Sequence, residues 1–309
     1  MLSGIPIPKD AVRPPETVLV NITPQETRVA VLEENNICEL HIERNSGHSL
    51  VGNIYLGVVK RVLPGMQSAF IDIGLERAAF LHIVDVLEQR RNPDETQRIE
   101  HMLFEGQSVL VQVIKDPINT KGARLSTQIS LAGRFLVHLP QEDHIGISQR
   151  IEDDAERSNL RERLNNLLPE NACHGYIIRT NAENASDAQL QSDINYLTKV
   201  WEHIQKQAKI QPPETLLYQD LPLSLRVLRD MFSLDTHKIL VDSTENHRRM
   251  TQFAEQYVQG ALGRIELFKG ERPLFETHNI EQEIARALQP RVNLNFGSYL
   301  IIESTEAMT

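Results

Sequence analysis

Apolar and polar residues alternate with a period of two along much of the first 130 residues, and this pattern predicts β-strands. Three short runs fill residues 17–44 and three more fill residues 52–82, with turn residues between them. Two later runs lie at 106–113 and 125–131, after a polar, irregular insertion at 87–105. The five runs from residue 52 onward predict an OB-fold barrel.

Two phenylalanines stand out in the second and third strands of this barrel. Phe70 shares its strand face with Asp72, and Phe80 shares its face with His82, because successive strand side chains point to opposite sides. Aromatic rings on the wet face of a small barrel suit the stacking of single-stranded bases. Alternatively, the strands are buried on both faces and the two rings belong to the core. Spacing alone favours neither interpretation.

The segment from residue 128 to 224 has a mixed α/β pattern. Its predicted elements are a strand at 130–140, a helix at 151–168, a short buried strand at 173–180 and a second helix from Ser186. Ser186 and Gln189 have the spacing of a capping box. The apolar stripe of the second helix is predicted to be core and comprises Leu190, Ile194, Leu197, Trp201 and Ile204.

The remaining residues alternate between helices and short strands. We predict helices at 223–232, 247–257 and 280–288, strands at 238–241 and 298–302, and an extended turn at 270–275. The strands of residues 17–44 are too few to bury a core alone, so they must pack on elements from later in the chain. The apolar strand at 298–302 is expected to have an open edge and no partner.

Composition narrows the class of protein. The formal net charge is −10, which argues against a nonspecific nucleic-acid binder but leaves room for a local basic site. Cys38 and Cys173 form no CxxC pair, which favours a reducing compartment. No apolar run approaches the ~20 residues that span a membrane. Residues 1–16 hold four prolines and lack a signal-peptide pattern, so we expect a disordered lead-in and a cytoplasmic protein.

A search for catalytic motifs finds little. The sequence has no P-loop, GxSxG or HExxH motif, and its eleven histidines lack metal-ligand spacing. The best polar candidate is the pair Arg179 and Thr180 at the end of a strand, where a guanidinium and a hydroxyl could bind a phosphate. The residues alone favour the alternative, an ordinary surface arginine at a strand end.

Several long motifs nevertheless resemble the ribonuclease E/G family, and its G branch more than its E branch. They appear in the family's order and cover residues 17–309. The motifs are NITPQETRVAVLE, HIER, GNIYLGVVKRVLPGMQSAFIDIGLERAAFLH, KGARLSTQISLAGRFLVHLP, ISQRIED, IIRTNAE, RVLRD and YLIIESTEAMT.

The resemblance implies a multidomain α+β architecture. It comprises an RNase H-like α/β subdomain split between 17–49 and 225–287, an OB-fold RNA-binding domain at 50–127, a 5′-sensor domain at 128–224 and the beginning of a DNase I-like catalytic subdomain at 288–309. The OB-fold domain would be of the type found in a large ribosomal protein.

The resemblance also implies roles for two groups of residues. The residues implied to contact single-stranded RNA on the barrel are Phe70, Phe80 and Lys121. The residues implied to form the pocket for a 5′-monophosphate are Gly133, Val137, Arg179 and Thr180. The resemblance therefore favours the phosphate-binding interpretation of Arg179.

The family's activity is single-strand-specific, 5′-end-dependent cleavage of RNA in rRNA maturation and mRNA decay. In the family, a catalytic Mg²⁺ and an intersubunit zinc link in homodimers or homotetramers depend on residues that follow a TEAMT-like stretch. The sequence stops at Thr309, so it supplies no catalytic or metal-binding residue, and we expect it to bind single-stranded RNA without cutting it. The alternative is a non-catalytic OB-fold RNA-binding or regulatory protein.

Overall fold

The alternating runs form strands in two separate units of the chain. A computed structural model describes residues 15–44, 49–86, 98–118, 121–169, 175–233, 235–294 and 297–303. One unit comprises Met1–His48 and Pro222–Thr309, and the other comprises Ser49–Leu221. Most of the proline-rich lead-in, residues 87–97 of the polar insertion and Cys173 lie outside the described residues.

The strands account for most of the elements in both units. In chain order they are β1 (Glu16–Ile22), β2 (Glu26–Glu33), β3 (Asn36–Arg44), β4 (Ile54–Leu63), β5 (Ser68–Asp72), β6 (Ala79–His82), β7 (Ser108–Lys115), β8 (Arg124–Ser126), β9 (Leu131–Ala132), β10 (Leu136–Leu139), β11 (Ile145–Ile147), β12 (Gly175–Ile178), β13 (Thr215–Tyr218), β14 (Thr236–Val241), β15 (Ile265–Leu267), β16 (Arg291–Asn293) and β17 (Tyr299–Ile301).

The helices are mostly short. The α-helices are α1 (Ile99–Met102), α2 (Asp154–Leu167), α3 (Asp187–Ile210), α4 (Leu223–Arg226), α5 (Thr244–Tyr257), α6 (Leu274–Thr277) and α7 (Ile280–Ala287). A π-helical turn at Val227–Met231 continues α4, and 3₁₀ turns lie at Pro64–Met66, Ile83–Asp85, Thr180–Asn184 and Gln259–Arg264. Within the described ranges, none of the helices combines the length and apolarity needed to cross a bilayer.

The unit that contains both chain ends is built on a mixed sheet with strand order β15-β14-β1-β2-β3. β1 pairs in parallel with β14 and antiparallel with β2, so the first three strands pack on later elements, as predicted. Val18 and Val20 face a cluster that includes residues of α4 and α5, whereas Leu19 packs with residues of α6 and α7. Helices therefore cover both faces of β1 and β2, which explains their nearly continuous apolar runs.

Three predictions about this unit need correction. Residues 274–277 form α6 instead of an extended stretch, and β15 and β16 were not predicted. The strand at the C-terminal end does have a partner, because β17 pairs antiparallel with β16. Its apolar side chains are nevertheless about half exposed, from Tyr299 to Ile302.

The second unit contains a closed barrel. Its strands follow the order β4-β5-β6-β8-β7, and a further pairing between β4 and β7 closes the circle. The barrel interior is filled by apolar side chains such as Tyr55, Ile71, Leu81, Val111 and Leu125. A closed five-stranded barrel with this order agrees with the predicted OB fold.

A four-stranded sheet with order β11-β12-β10-β9 completes the second unit, packed on α2 and α3. The predicted capping box at Ser186 and the core stripe of α3 are confirmed. The single strand predicted at 130–140 is wrong, because a turn at Gly133 divides it into β9 and β10. The sequence analysis also missed β13, which pairs with β4 of the barrel.

A substitution in the tight turn after β5 can test the packing around the barrel. Gly74 has a positive φ of 82°, and a Cβ there would lie 2.5 Å from the carbonyl oxygen of Glu214. We expect Gly74→Ala to lower the free energy of unfolding by about 2 kcal/mol or more. A residue with a Cβ in the left-handed backbone region costs about 1–2 kcal/mol, and the clash with Glu214 adds to this cost. Gly65→Ala is the matched control, since no atom beyond its chain neighbours and its own helical turn lies within 4 Å of its Cβ position. Urea unfolding measures both, and equal losses would contradict this explanation.

Candidate functional site

The barrel carries Phe70 and Phe80 side by side on its outer surface. They are direct partners in the antiparallel pairing of β5 with β6, and their ring centroids lie 6.1 Å apart in an edge-to-face arrangement. Both are half-buried, whereas the alternating neighbours Ala69 and Leu81 are completely buried. The rings therefore lie outside the barrel core, as the first interpretation of the strand pattern requires.

Two arginines extend this pair across the neighbouring strands. Arg61 of β4 lies opposite Phe70, and Arg124 of β8 lies opposite Phe80. Directly paired residues share a face of the sheet, so these four residues form a continuous line over four strands, which we call the aromatic row. Arg124 also binds Asp85, with guanidinium-to-carboxylate distances of 2.7 and 2.9 Å. Neither arginine was predicted to belong to this site, because their alignment with the phenylalanines depends on strand register.

Lys121 lies in the loop that leads into β8. A Cβ on the next residue, Gly122, would lie 2.1 Å from the carbonyl oxygen of Ala78. Only a glycine therefore lets this loop approach the backbone of Ala78 so closely. The carbonyl of Ala123 accepts a hydrogen bond from the backbone N–H of Phe80 at 2.7 Å. The structure thus places the loop of Lys121 against the beginning of β6, the strand that carries Phe80.

Lys60, the neighbour of Arg61, has a different environment. Its ammonium group lies 3.0 Å from the Asp72 carboxylate and 3.1 Å from the Glu214 carboxylate. The hydrogen bond to Asp72 is the main cause that raises the pKa of Lys60. The pKa of Asp72 is lowered, first by the hydrogen bond from the Gly74 N–H. Two carboxylates thus pair with Lys60, which makes Arg61 the better candidate for contact with an anion.

A second site lies in the four-stranded sheet. Arg179 follows β12, and its Nη1 donates a hydrogen bond of 2.6 Å to the carbonyl oxygen of Gly133 in the β9–β10 turn. Thr180 is the next residue and begins a 3₁₀ turn. Val137 of β10 is the direct partner of Ile177, which lies two residues before Arg179 and therefore on the same strand face. The structure thus brings Gly133, Val137 and Arg179 to one half-buried face of the sheet, and Thr180 follows Arg179 directly.

Behind this turn lies a buried carboxylate that the sequence analysis did not single out. Asp193 of α3 accepts hydrogen bonds from three consecutive backbone N–H groups, those of Arg134, Phe135 and Leu136, at 3.2, 2.8 and 2.9 Å. Burial raises the pKa of Asp193, and the backbone donors and Arg179 oppose this effect. A signal for Asp193 was present in the sequence, because it is an acid within the apolar stripe of α3.

Neither site offers a metal centre. Among the residues that the structure describes, no three or more His, Cys, Asp and Glu side chains are grouped closely enough to hold a metal ion. The two sites present a half-buried aromatic pair beside arginines, and a guanidinium that is hydrogen-bonded to a backbone carbonyl.

Comparison with known proteins identifies relatives over nearly the whole chain. Residues 130–309 match the family model described as "Ribonuclease E/G family". Ribonuclease G of Escherichia coli strain K12 is 42% identical over 299 residues, a match that covers 94% of this chain and 61% of the relative. Ribonuclease G of Haemophilus influenzae is also 42% identical and is covered to 60%. Ribonuclease E of Nostoc sp. is 39% identical over 294 residues, which cover 93% of this chain and 42% of the relative.

These figures carry two consequences. Identity is higher to the ribonuclease G sequences than to the ribonuclease E sequence, in agreement with the pattern of motifs. The match spans 60 to 61% of the length of the ribonuclease G relatives, so about two fifths of each relative lie outside it.

The buried carboxylate gives a pH-dependent prediction. Because the pKa of Asp193 is raised above 3.8, the folded chain binds this proton more tightly than the unfolded chain. The resulting stabilisation is complete below about 3.8 and is lost as the pH rises through the folded pKa. We therefore expect the unfolding free energy of the wild type, relative to Asp193→Asn, to fall as the pH rises from about 4 towards neutrality. Urea unfolding at a series of pH values measures this difference. A constant or increasing difference would contradict the assignment.

Proposed function

The chain belongs to the ribonuclease E/G family, and on that premise we propose that it captures single-stranded RNA on the barrel and recognises the 5′-monophosphate end of that RNA in the pocket around Arg179. The complete protein would be an endoribonuclease of the ribonuclease G type that hydrolyses phosphodiester bonds in rRNA precursors and mRNA. The observation that carries the binding proposal is the aromatic row of Arg61, Phe70, Phe80 and Arg124.

The aromatic row suits an unpaired strand of RNA for two reasons. Each half-buried ring lies on the outer face of the barrel, and stacking of one base on an aromatic side chain contributes about 1–3 kcal/mol without regard to sequence. Arg61 and Lys121 supply positive charge for the phosphate backbone on a chain whose net charge is −10, whereas the charge of Arg124 is paired with the Asp85 carboxylate. A local cationic site of this kind overcomes an unfavourable net charge because salt screens distant charges more than close ones.

The pocket suits a terminal phosphate because its arginine is oriented. The bond from Nη1 to the Gly133 carbonyl fixes the plane of the guanidinium, and a fixed plane is what bidentate recognition of a phosphate requires. Thr180 contributes a hydroxyl beside it, and Val137 an apolar surface on the same face. A 5′-hydroxyl end would lack the charge that this arrangement recognises.

The finer architecture is part of the same proposal. The order β3-β2-β1-β14-β15, with three antiparallel strands followed by two parallel ones, supports the RNase H-like subdomain at 17–49 and 225–287. The 5′-sensor domain at 128–224, the DNase I-like segment at 288–309, the oligomeric state and a cytoplasmic location remain predictions. We also propose that cleavage by the complete protein uses Mg²⁺ bound outside these 309 residues. RNA should then stay intact in the binding assays below when Mg²⁺ is added, and cleavage there would contradict this point.

The stacking proposal is tested at the two rings. We expect Phe70→Ala and Phe80→Ala each to weaken binding of a 5′-hydroxyl oligoribonucleotide roughly tenfold, because each removes a stacking surface. Fluorescence anisotropy with a labelled, unstructured RNA measures the dissociation constant. Phe104→Ala is the matched control, since Phe104 is a 68% exposed phenylalanine of the same unit outside the aromatic row. Equal weakening in all three variants would rule out a specific role for the row.

The sensor proposal is tested with RNAs that differ only at the 5′ end. The wild type should bind a 5′-monophosphorylated oligoribonucleotide more tightly than its 5′-hydroxyl counterpart, and Arg179→Ala should abolish this preference. The lost contact should cost about 1.5–3 kcal/mol, as for a hydrogen bond to a charged group. Arg161→Ala, on the exposed surface of α2, is the control. Equal affinities in the wild type, or an unchanged preference after Arg179→Ala, would refute the sensor function.

A further inference from the structure

Asp193 is the least expected side chain in the second unit. It lies within the apolar stripe of α3, between Leu190 and Leu197, and only 9% of it is exposed. A buried carboxylate is costly unless hydrogen bonds compensate for the lost water. The turn between β9 and β10 supplies this compensation through the three consecutive N–H groups of residues 134–136, and the charge of Arg179 adds to it. Asp193 therefore holds the backbone of this turn in one conformation.

The same turn contacts Arg179 at two places. The carbonyl of Phe135 accepts the backbone N–H of Arg179 at 2.9 Å, and the carbonyl of Gly133 accepts its side-chain Nη1 at 2.6 Å. Each carbonyl belongs to a peptide unit whose N–H donates to Asp193: the Gly133 carbonyl shares its unit with the Arg134 N–H, and the Phe135 carbonyl with the Leu136 N–H. A shift of the turn would consequently move the guanidinium as well.

Gly133 completes this arrangement. A Cβ at this position would lie 2.5 and 2.6 Å from the two carboxylate oxygens of Asp193. The absence of a side chain thus lets the turn approach the carboxylate closely enough for all three hydrogen bonds. This explains why a glycine is needed at a position whose φ is not in the left-handed region.

We propose that Asp193 is a positioning residue of the 5′-phosphate pocket, acting through the turn of residues 133–136 to set the orientation of Arg179. This proposal rests on the proposed sensor function. A positioning role and a purely electrostatic effect predict opposite changes in monophosphate affinity when Asp193 loses its charge. Removal of a negative charge near a phosphate would strengthen binding of the monophosphate, whereas loss of the orientation of Arg179 would weaken it.

The experiment measures the ratio of the dissociation constants for 5′-hydroxyl and 5′-monophosphorylated forms of one oligoribonucleotide. Asp193→Asn keeps the shape of the side chain but retains only one acceptor oxygen for three N–H groups. We expect the ratio to fall about tenfold, the size of one hydrogen bond to a charged group, with the affinity for the 5′-hydroxyl RNA unchanged. Asp187→Asn is the control on the same helix, because Asp187 is exposed and pairs with Arg163 at the surface. The control should keep the wild-type ratio.

A double variant separates positioning from general destabilisation. If Asp193 acts through Arg179, Asp193→Asn changes nothing further in the Arg179→Ala background, where the ratio is already one. Should circular dichroism show that Asp193→Asn does not fold, Gly133→Ala decides instead, because it keeps the carboxylate and displaces it from the turn. The same fall in the ratio is expected for that variant.

The outcomes are distinct. A wild-type ratio above one that Asp193→Asn leaves unchanged or raises overturns the positioning role while the sensor function stands. Equal weakening of both RNAs by Asp193→Asn also overturns it, because a merely structural role would produce that result. When Gly133→Ala is the deciding variant, an unchanged ratio overturns the positioning role of Asp193. A wild-type ratio of one instead overturns the sensor function, and the positioning role with it.

Discussion

The second unit depends on the pairing of one long strand, β4. Its C-terminal half pairs with β5, and its N-terminal half lies between β7 and β13. The β4–β7 pairing closes the barrel, and closure divides every strand into an apolar inner face and an outer face that water can reach. The β4–β13 pairing ties the barrel to the segment that carries α3. Ile54 of β4 and Leu217 of β13 accordingly belong to the same apolar cluster as the core of the four-stranded sheet.

The two candidate sites use different physics. The aromatic row offers two half-buried rings on the outer face of the barrel beside two arginines, which suits contacts that do not depend on base identity. The pocket instead depends on hydrogen bonds of defined direction. Asp193 accepts N–H groups of the turn between β9 and β10, and a carbonyl of the same turn accepts the guanidinium of Arg179. In the proposed function, a surface that tolerates any base and a pocket that recognises one charged group complement each other.

Much of the fold was predictable because local periodicity reports burial. The alternation around Ile71 and Leu81, the capping box of Ser186 and the core stripe ending at Ile204 are all properties of neighbouring residues. Short elements were harder to predict. β9 and β15 contain two and three residues, too few for a period to show, and β13 follows two prolines that suggested only the end of a helix.

Residue type and spacing were enough to identify two phenylalanines on polar strand faces, and an arginine and a threonine at a strand end, as candidate site residues. The family resemblance added the link to RNA. Which of these residues meet depends on how the strands and helices pack. The alignment of Arg61 with Phe70 and of Arg124 with Phe80 follows from strand register, and the hydrogen bond from Leu136 to Asp193 joins residues 57 positions apart. Periodicity shows which face of its strand or helix a residue occupies. Which residue it contacts on another element depends on how elements distant in sequence pack together.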